Sequence, residues 1–175
     1  KIPAEGKLVM PAFCDSQISP SFSASRELEY MDKIRGLSYE EIAKRGGGIL
    51  NSAALLQATP EEELYQQSLS RVREIMQQGT GAVEIKSGYG LSTEAELKIL
   101  RAIRRLRETT PLDIKATFLG AHSFPLAYRE DPERYVDLLV EEMIPAVAEA
   151  GLADFIDVFC DRGFFTVPQT EKILE

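Results

Sequence analysis

The 175-residue chain is long enough for one domain with a sizeable core, and 44% of its residues are hydrophobic. Its 20 basic and 28 acidic residues give a net charge of −8, which argues against a surface that binds nucleic acid or an anionic membrane, since a polyanion needs clustered cations. Two cysteines are too few for a secreted disulfide scaffold, no apolar run reaches the roughly 20 residues of a membrane span, and no signal peptide opens the sequence, so we expect a cytoplasmic protein.

The first predicted element is an apolar strand over residues 8–15. Pro11 favours an edge-type or barrel strand, because proline cannot donate a hydrogen bond to a ladder. Short helices are predicted over residues 27–33 and 39–45, the second with a capping box formed by Ser38 and Glu41. The triple glycine that follows is typical of a helix end.

A longer helix is predicted to begin at Thr59-Pro60-Glu61-Glu62, with Thr59 as the cap and Pro60 at the first helical position. Its apolar residues recur at helical spacing and predict one buried face. That face carries Leu64, Val72, Ile75 and Met76. The helix is expected to stop at Gly79.

Three strand–helix units complete the predicted order. The strands cover residues 82–86, 114–119 and 155–160, and the helix between the first two covers roughly residues 94–108. Asp131 and Pro132 are expected to cap a long helical stretch, with a kink or restart at Pro145. Residues 166–169 are expected to cap a last helix.

Alternation of strands and helices implies parallel pairing through right-handed crossovers. A (β/α) barrel and a doubly wound sheet both fit this order. A complete barrel takes about 250 residues. We predict a single α/β domain over residues 1–175 of the parallel (β/α) barrel type, about half of a (β/α)8 TIM barrel, without a flanking β-sandwich.

Two polar side chains follow successive predicted strands. The run VEIKSGYG over residues 83–90 predicts a strand that ends in a glycine-bracketed loop with Tyr89 at its tip, before a capped helix that starts at Ser92. His122, the single histidine of the sequence, follows the next strand. Because the carboxyl ends of parallel strands meet at one edge, Tyr89 and His122 are expected to share one site.

Five segments of the sequence resemble imidazolonepropionase, an amidohydrolase-superfamily enzyme of histidine degradation. They are residues 35–43, 46–49, 83–91, 117–122 and 152–161. EIKSGYGL and TFLGAH are the most specific of these motifs, and the resemblance extends over nearly the whole chain. It implies a (β/α)8 barrel that hydrolyses 4-imidazolone-5-propanoate to N-formimino-L-glutamate, with a bound Zn or Fe that activates the attacking water.

The resemblance also implies three substrate contacts. Arg26 matches an arginine that pairs with the propanoate carboxylate, a task suited to the guanidinium fork. Tyr89 matches a substrate-holding tyrosine, and His122 matches a histidine that contacts substrate rather than metal. Without the resemblance, the ordinary interpretations are a surface salt bridge, a loop aromatic and a structural histidine.

The sequence departs from the family pattern after the first strand. Gln17 and Ser19 stand where the resemblance places two metal-binding histidines, and both are poor ligands for Zn or Fe beside imidazole. The remaining two ligands of the family, a histidine and an aspartate, are expected on later strands beyond Glu175. We therefore expect no metal cofactor in this chain, assign no catalytic residue, and expect the chain to be inactive alone.

A non-catalytic half-barrel, used as a scaffold or assembly module, is the alternative. Exposed strand edges invite pairing, so two copies that close edge to edge are expected to form a homodimer. A small carboxylated imidazole remains an expected ligand if Arg26, Tyr89 and His122 converge. A nucleophile pair of His122 with Cys14 or Cys160 is geometrically open, but buried, inert thiols are the favoured interpretation.

Overall fold

A computed structural model of the chain describes residues 3–18, 34, 36 and 49–175. Four parallel strands pair in chain order, β1-β2-β3-β4. They are β1 (Phe13–Ile18), β2 (Thr80–Lys86), β3 (Asp113–Ala121) and β4 (Phe155–Val158). The sheet curls into half of a (β/α)8-type barrel with helices on its outer face, which confirms the predicted α/β class and half-barrel architecture.

Six α-helices lie within the described residues. They are α1 (Ile49–Ala58), α2 (Glu61–Gln77), α3 (Thr93–Thr109), α4 (Pro132–Leu138), α5 (Ile144–Glu149) and α6 (Val167–Leu174). A 3-10 turn covers Leu126–Tyr128, and a π-helical segment covers Leu139–Met143. The helices predicted over residues 27–33 and 39–45 fall outside the described residues.

The first strand begins and ends later than predicted. It starts at Phe13 rather than residue 8 and continues to Ile18. Pro11 has no N–H to donate, and the ladder begins instead with the Phe13 N–H, which donates to the Gly79 carbonyl at 2.9 Å. The proline thus sets the start of the strand rather than lying within it.

The α2 helix lies where predicted, but its cap differs. Pro60 is the N-cap residue, and the Thr59 hydroxyl donates back to the Leu55 carbonyl of α1 at 2.7 Å. The predicted apolar face is confirmed, since Leu64 and Val72 are fully buried and Ile75 and Met76 pack against the core.

The predicted interruption at Pro145 is confirmed. The π-helical segment directly precedes α5, and Pro145 lies in the first turn of α5, where its missing N–H costs least. The last helix begins with the predicted capping box. Gln169 N–H donates to the Thr166 hydroxyl at 3.4 Å, and Thr166 N–H donates to the Gln169 side chain at 2.9 Å.

The sheet has an apolar outer face and a charged inner face. Alternate residues of β2 and β3 pack beneath the helices, among them Val83, Ile85, Ile114, Ala116 and Phe118. The residues between them point to the inner face. There the Lys86 ammonium lies 3.1 Å from a Glu84 oxygen and 2.7 Å from an Asp157 oxygen.

Cys14 and Cys160 are both exposed, so the favoured interpretation of buried thiols is wrong. Cys14 lies on β1 and pairs with Ala82 of β2. Successive residues of a strand face opposite sides of the sheet, and Val83 packs beneath the helices, so Ala82 and its partner Cys14 face the inner side. Cys160 follows β4 and bridges to Phe165. In the part of the chain that the structure describes, no helix has the length and apolar character needed to cross a membrane.

Candidate functional site

Tyr89 and His122 meet at the carboxyl ends of β2 and β3, as the sequence predicts. Their ring centroids lie 5.0 Å apart in an edge-to-face arrangement with an interplanar angle of 87°. Phe159, just past β4, approaches the other side of the histidine with centroids 5.8 Å apart. Three successive strands therefore contribute one ring each to a small aromatic cluster, in which Tyr89 and His122 are both partly exposed.

Glycine is required at position 88 for this approach. Gly88 has a φ of +100°, and a Cβ there would lie 2.7 Å from the Leu119 carbonyl oxygen and 3.0 Å from His122 Nδ1. The loop can therefore lie directly against β3. A residue with a side chain would push the loop away from the histidine.

The Gly88 carbonyl also orients the imidazole. His122 Nδ1 lies 3.0 Å from the Gly88 oxygen. A carbonyl oxygen only accepts hydrogen bonds, so the proton of this bond belongs to Nδ1. The neutral ring is then the Nδ1–H tautomer, with its lone pair on Nε2.

Glu96 holds the same loop from beneath, and the sequence analysis missed it. The residue is fully buried in the first turn of α3. Its carboxyl oxygens accept the N–H groups of Gly88 at 2.8 Å, Gly90 at 2.7 Å and Leu91 at 3.0 Å. Burial raises the pKa of this carboxyl, opposed by these N–H donors and the Ser87 hydroxyl.

The strand end that carries His122 is fixed by close packing around Gly120. A Cβ at Gly120 would lie 2.4 Å from the Phe118 ring and 2.7 Å from Leu139. The buried Tyr135 hydroxyl donates to the Gly120 carbonyl at 2.9 Å. This explains in physical terms why a glycine precedes the Ala121-His122 pair.

Gln17, near the end of β1, offers an amide where the resemblance places a metal-binding imidazole. Gln17 is exposed, and its N–H donates to an Asp15 carboxylate oxygen at 3.1 Å within β1. Nowhere among the described residues do three or more His, Cys, Asp or Glu side chains lie close enough to hold a metal ion. The amide of Gln17 is a poor ligand for Zn or Fe beside imidazole. Ser19 and Arg26 lie outside the described residues.

A cavity of about 350 Å³ lies on the inner face of the sheet, away from the aromatic cluster. Its lining includes Cys14, Glu84, Lys115 and Phe155, but neither Tyr89 nor His122. Tyr89 and His122, the two described residues predicted to contact substrate, therefore lie at the strand ends and not in this cavity.

Comparison with known proteins agrees with the resemblance. The imidazolonepropionase of Christiangramia forsetii is 55% identical over 173 residues, which cover 99% of this chain and 42% of that protein. This chain is a homologue of imidazolonepropionases. The imidazolonepropionase of Flavobacterium psychrophilum is 56% identical over 174 residues, again 99% of this chain and 42% of that protein. The chain thus spans about two fifths of the length of the curated relatives it matches.

Comparison with family models and with solved structures does not strengthen this relationship. No family model matches the sequence. A crystal structure of an adenine deaminase from Arthrobacter aurescens aligns with a TM-score of 0.48 at 13% identity, over 87% of this chain and 50% of that one. The homology to imidazolonepropionase therefore rests on sequence.

Sequence reasoning missed Glu96 and Phe159 for different reasons. Glu96 lies in the first turn of a helix, where acidic residues are common and usually solvated. Its distance of eight residues from Gly88, beneath a loop with two glycines, is a signal only once the loop is seen to fold back. Phe159 lies just past β4, but the strand was predicted to continue to residue 160, so Phe159 did not stand out as a residue that follows a strand, as Tyr89 and His122 did.

Proposed function

We propose that this chain forms part of the substrate pocket of an imidazolonepropionase-type cyclic amidohydrolase and binds a small carboxylated imidazole without hydrolysing it. The pairing of Tyr89 with His122 carries the proposal. The resemblance implies that both residues contact substrate, and their rings lie 5.0 Å apart at neighbouring strand ends. The similarity to imidazolonepropionases supports the same substrate class.

The geometry suits recognition of a flat, polar heterocycle. The tyrosine ring and Phe159 flank the imidazole of His122 edge to face, so the cluster offers aromatic surfaces beside a hydrogen-bonding ring. The Gly88 carbonyl fixes the orientation of that ring. Arg26 remains the predicted partner of the propanoate carboxylate, on the motif match alone.

We expect this chain alone not to hydrolyse the ring, because of the residue at the end of β1. The family chemistry uses a metal-activated water, and Gln17 offers an amide where the pattern has an imidazole. In the described part of the chain no other group of side chains replaces that donor set. We therefore expect the chain to bind a small carboxylated imidazole but not to hydrolyse 4-imidazolone-5-propanoate.

Calorimetric titration with imidazole-4-propionate, a stable carboxylated imidazole, tests the binding half of the proposal. His122→Ala and Tyr89→Phe are expected to weaken affinity, the first by about tenfold, which corresponds to ~1.4 kcal/mol. Tyr128→Phe is the matched control, since Tyr128 packs against Tyr135 and away from the aromatic cluster. Unchanged affinity in His122→Ala would remove the proposed site. Conversion of 4-imidazolone-5-propanoate by the wild-type chain would contradict the absence of turnover.

Self-association is the second candidate, favoured by the edges of the sheet. Phe13 on β1 and Phe155 on β4 are 56% and 58% exposed, and they lie on the two outermost strands of the described sheet. Edge-to-edge pairing of two copies covers both edges and completes eight strands. Light scattering should give the mass of a homodimer, and a monomer that unfolds cooperatively would contradict it.

A further inference from the structure

We infer that Glu96 is the positioning residue of the aromatic cluster, holding the Tyr89 loop so that the Gly88 carbonyl fixes the tautomer and orientation of His122. The inference rests on the proposed function for its consequence in binding. Its structural content, the link from Glu96 to the histidine, stands on contacts within the chain. Glu96 itself is expected to contact no substrate, because it is fully buried.

The carboxyl group is placed to accept from the whole loop. Three N–H groups of the loop point at this carboxyl group, and Glu96 accepts those of Gly88, Gly90 and Leu91 within 3.0 Å. Leu91 has a φ of +52°, an unfavourable conformation for a residue with a side chain. Leu91 is itself buried, and its N–H bond to Glu96 offsets part of that cost.

A second support reaches the loop from α1. The Gln57 side-chain amide donates to the Gly90 carbonyl at 2.7 Å, so both the N–H and the carbonyl of Gly90 have hydrogen-bond partners. Ser87 links the loop to the next strand, since its hydroxyl accepts the Leu119 N–H at 3.0 Å. The loop is thus held on both sides, with Glu96 making the largest share of the bonds.

The effect on His122 follows from the geometry at Gly88. One side of Gly88 is held by Glu96 through the N–H, and the other side presents the carbonyl that lies 3.0 Å from His122 Nδ1. Release of the N–H allows the carbonyl to turn away. His122 then loses the acceptor that favours its Nδ1–H tautomer.

Glu96→Gln is the informative variant. A glutamine keeps the size of the side chain but replaces one acceptor oxygen with a donating NH2 group, which must face at least one of the loop N–H groups. Glu94→Gln is the matched control, because Glu94 lies in the same helical turn, is exposed and pairs with Arg101 outside the loop. The readout is the pair of imidazole 15N shifts of His122, the single histidine of the sequence.

Glu96→Gln is expected to keep its helical circular dichroism, to shift the His122 nitrogens away from the Nδ1–H tautomer, and to bind imidazole-4-propionate about tenfold more weakly. Glu94→Gln should match the wild type in all three. A folded Glu96→Gln chain with wild-type His122 shifts would overturn the inference. If wild-type protein does not bind the probe, the proposed function fails while the nitrogen shifts still decide the role of Glu96.

Amide hydrogen exchange of the wild-type chain gives a test that does not depend on the variant folding. The Gly88, Gly90 and Leu91 amides should exchange slowly, because Glu96 accepts all three in a buried site. Fast exchange at these amides, beside slow exchange in α3, would also overturn the inference.

Discussion

Lys86 and Asp157 join β2 to β4 across the inner face of the sheet, with 2.7 Å between the ammonium and a carboxylate oxygen. Glu84 lies 3.1 Å from the same ammonium and accepts the Thr117 hydroxyl of β3. Lys86 is nearly buried, whereas Asp157 is about half exposed. The network therefore connects β2, β3 and β4. Its lysine is shielded enough from water for the charge pairing to contribute to stability.

Replacement of that lysine should destabilise the half-barrel. Lys86→Met leaves two carboxylates facing each other without a cation, and we expect a loss of about 1–2 kcal/mol in the free energy of unfolding, below the cost of a fully buried pair. Urea unfolding measures it. Lys115→Met is the control, because Lys115 is exposed and lies on β3 at the same inner face of the sheet as Lys86. This variant should change the free energy of unfolding little. Equal losses in both variants would argue against the network.

A side chain at Gly88 should disrupt the site and the fold together. Gly88→Ala combines a φ of +100° with a Cβ only 2.7 Å from the Leu119 oxygen, so we expect a loss of about 2 kcal/mol or more. Gly163→Ala is the matched control, since its φ of +83° brings backbone strain while its Cβ meets nothing within 4 Å. That control should lose only about 1 kcal/mol. Thermal unfolding compares the two, and an equal loss would contradict the close approach of the loop to β3.

Stability in acid should depend on Asp154. Partial burial raises the pKa of this carboxyl, but the Ala116 N–H and the Arg107 guanidinium outweigh that effect and hold the pKa below its ordinary value. A lowered folded pKa gives stability that is present above the unfolded pKa and is lost as pH falls through the folded pKa. The free energy of unfolding of the wild-type protein should therefore be larger than those of Asp154→Asn and Arg107→Gln near neutral pH. These differences in free energy should shrink in acid. Urea unfolding across that range would contradict this if the differences grew.

The exposed thiols report on the open face of the sheet. Both Cys14 and Cys160 should react with a thiol reagent in the native monomer, because both are exposed. In a homodimer closed edge to edge, Cys14 on the inner face of β1 should become protected. Cys160→Ser isolates the Cys14 signal, and labelling that stays fast at concentrations where the mass is dimeric would exclude this mode of closure.

The sequence was enough to predict the half-barrel and two members of the aromatic cluster. Hydrophobic runs, glycine loops and proline positions are local signals, and they predicted the order of β2 to β4 and the interruption at Pro145. Glu96 escaped prediction because its role depends on a loop that folds back over its own helix. Cys14 was misjudged because its exposure depends on which strands cover the inner face, which residue type does not indicate.

A backbone NMR titration of the wild-type chain with imidazole-4-propionate tests the central claim most directly. The claim predicts saturable shifts concentrated at Gly88, Tyr89 and His122, where the ends of β2 and β3 meet. No saturable shift, or shifts centred on the inner-face cavity at Ala82, Glu84 and Lys115, would contradict it.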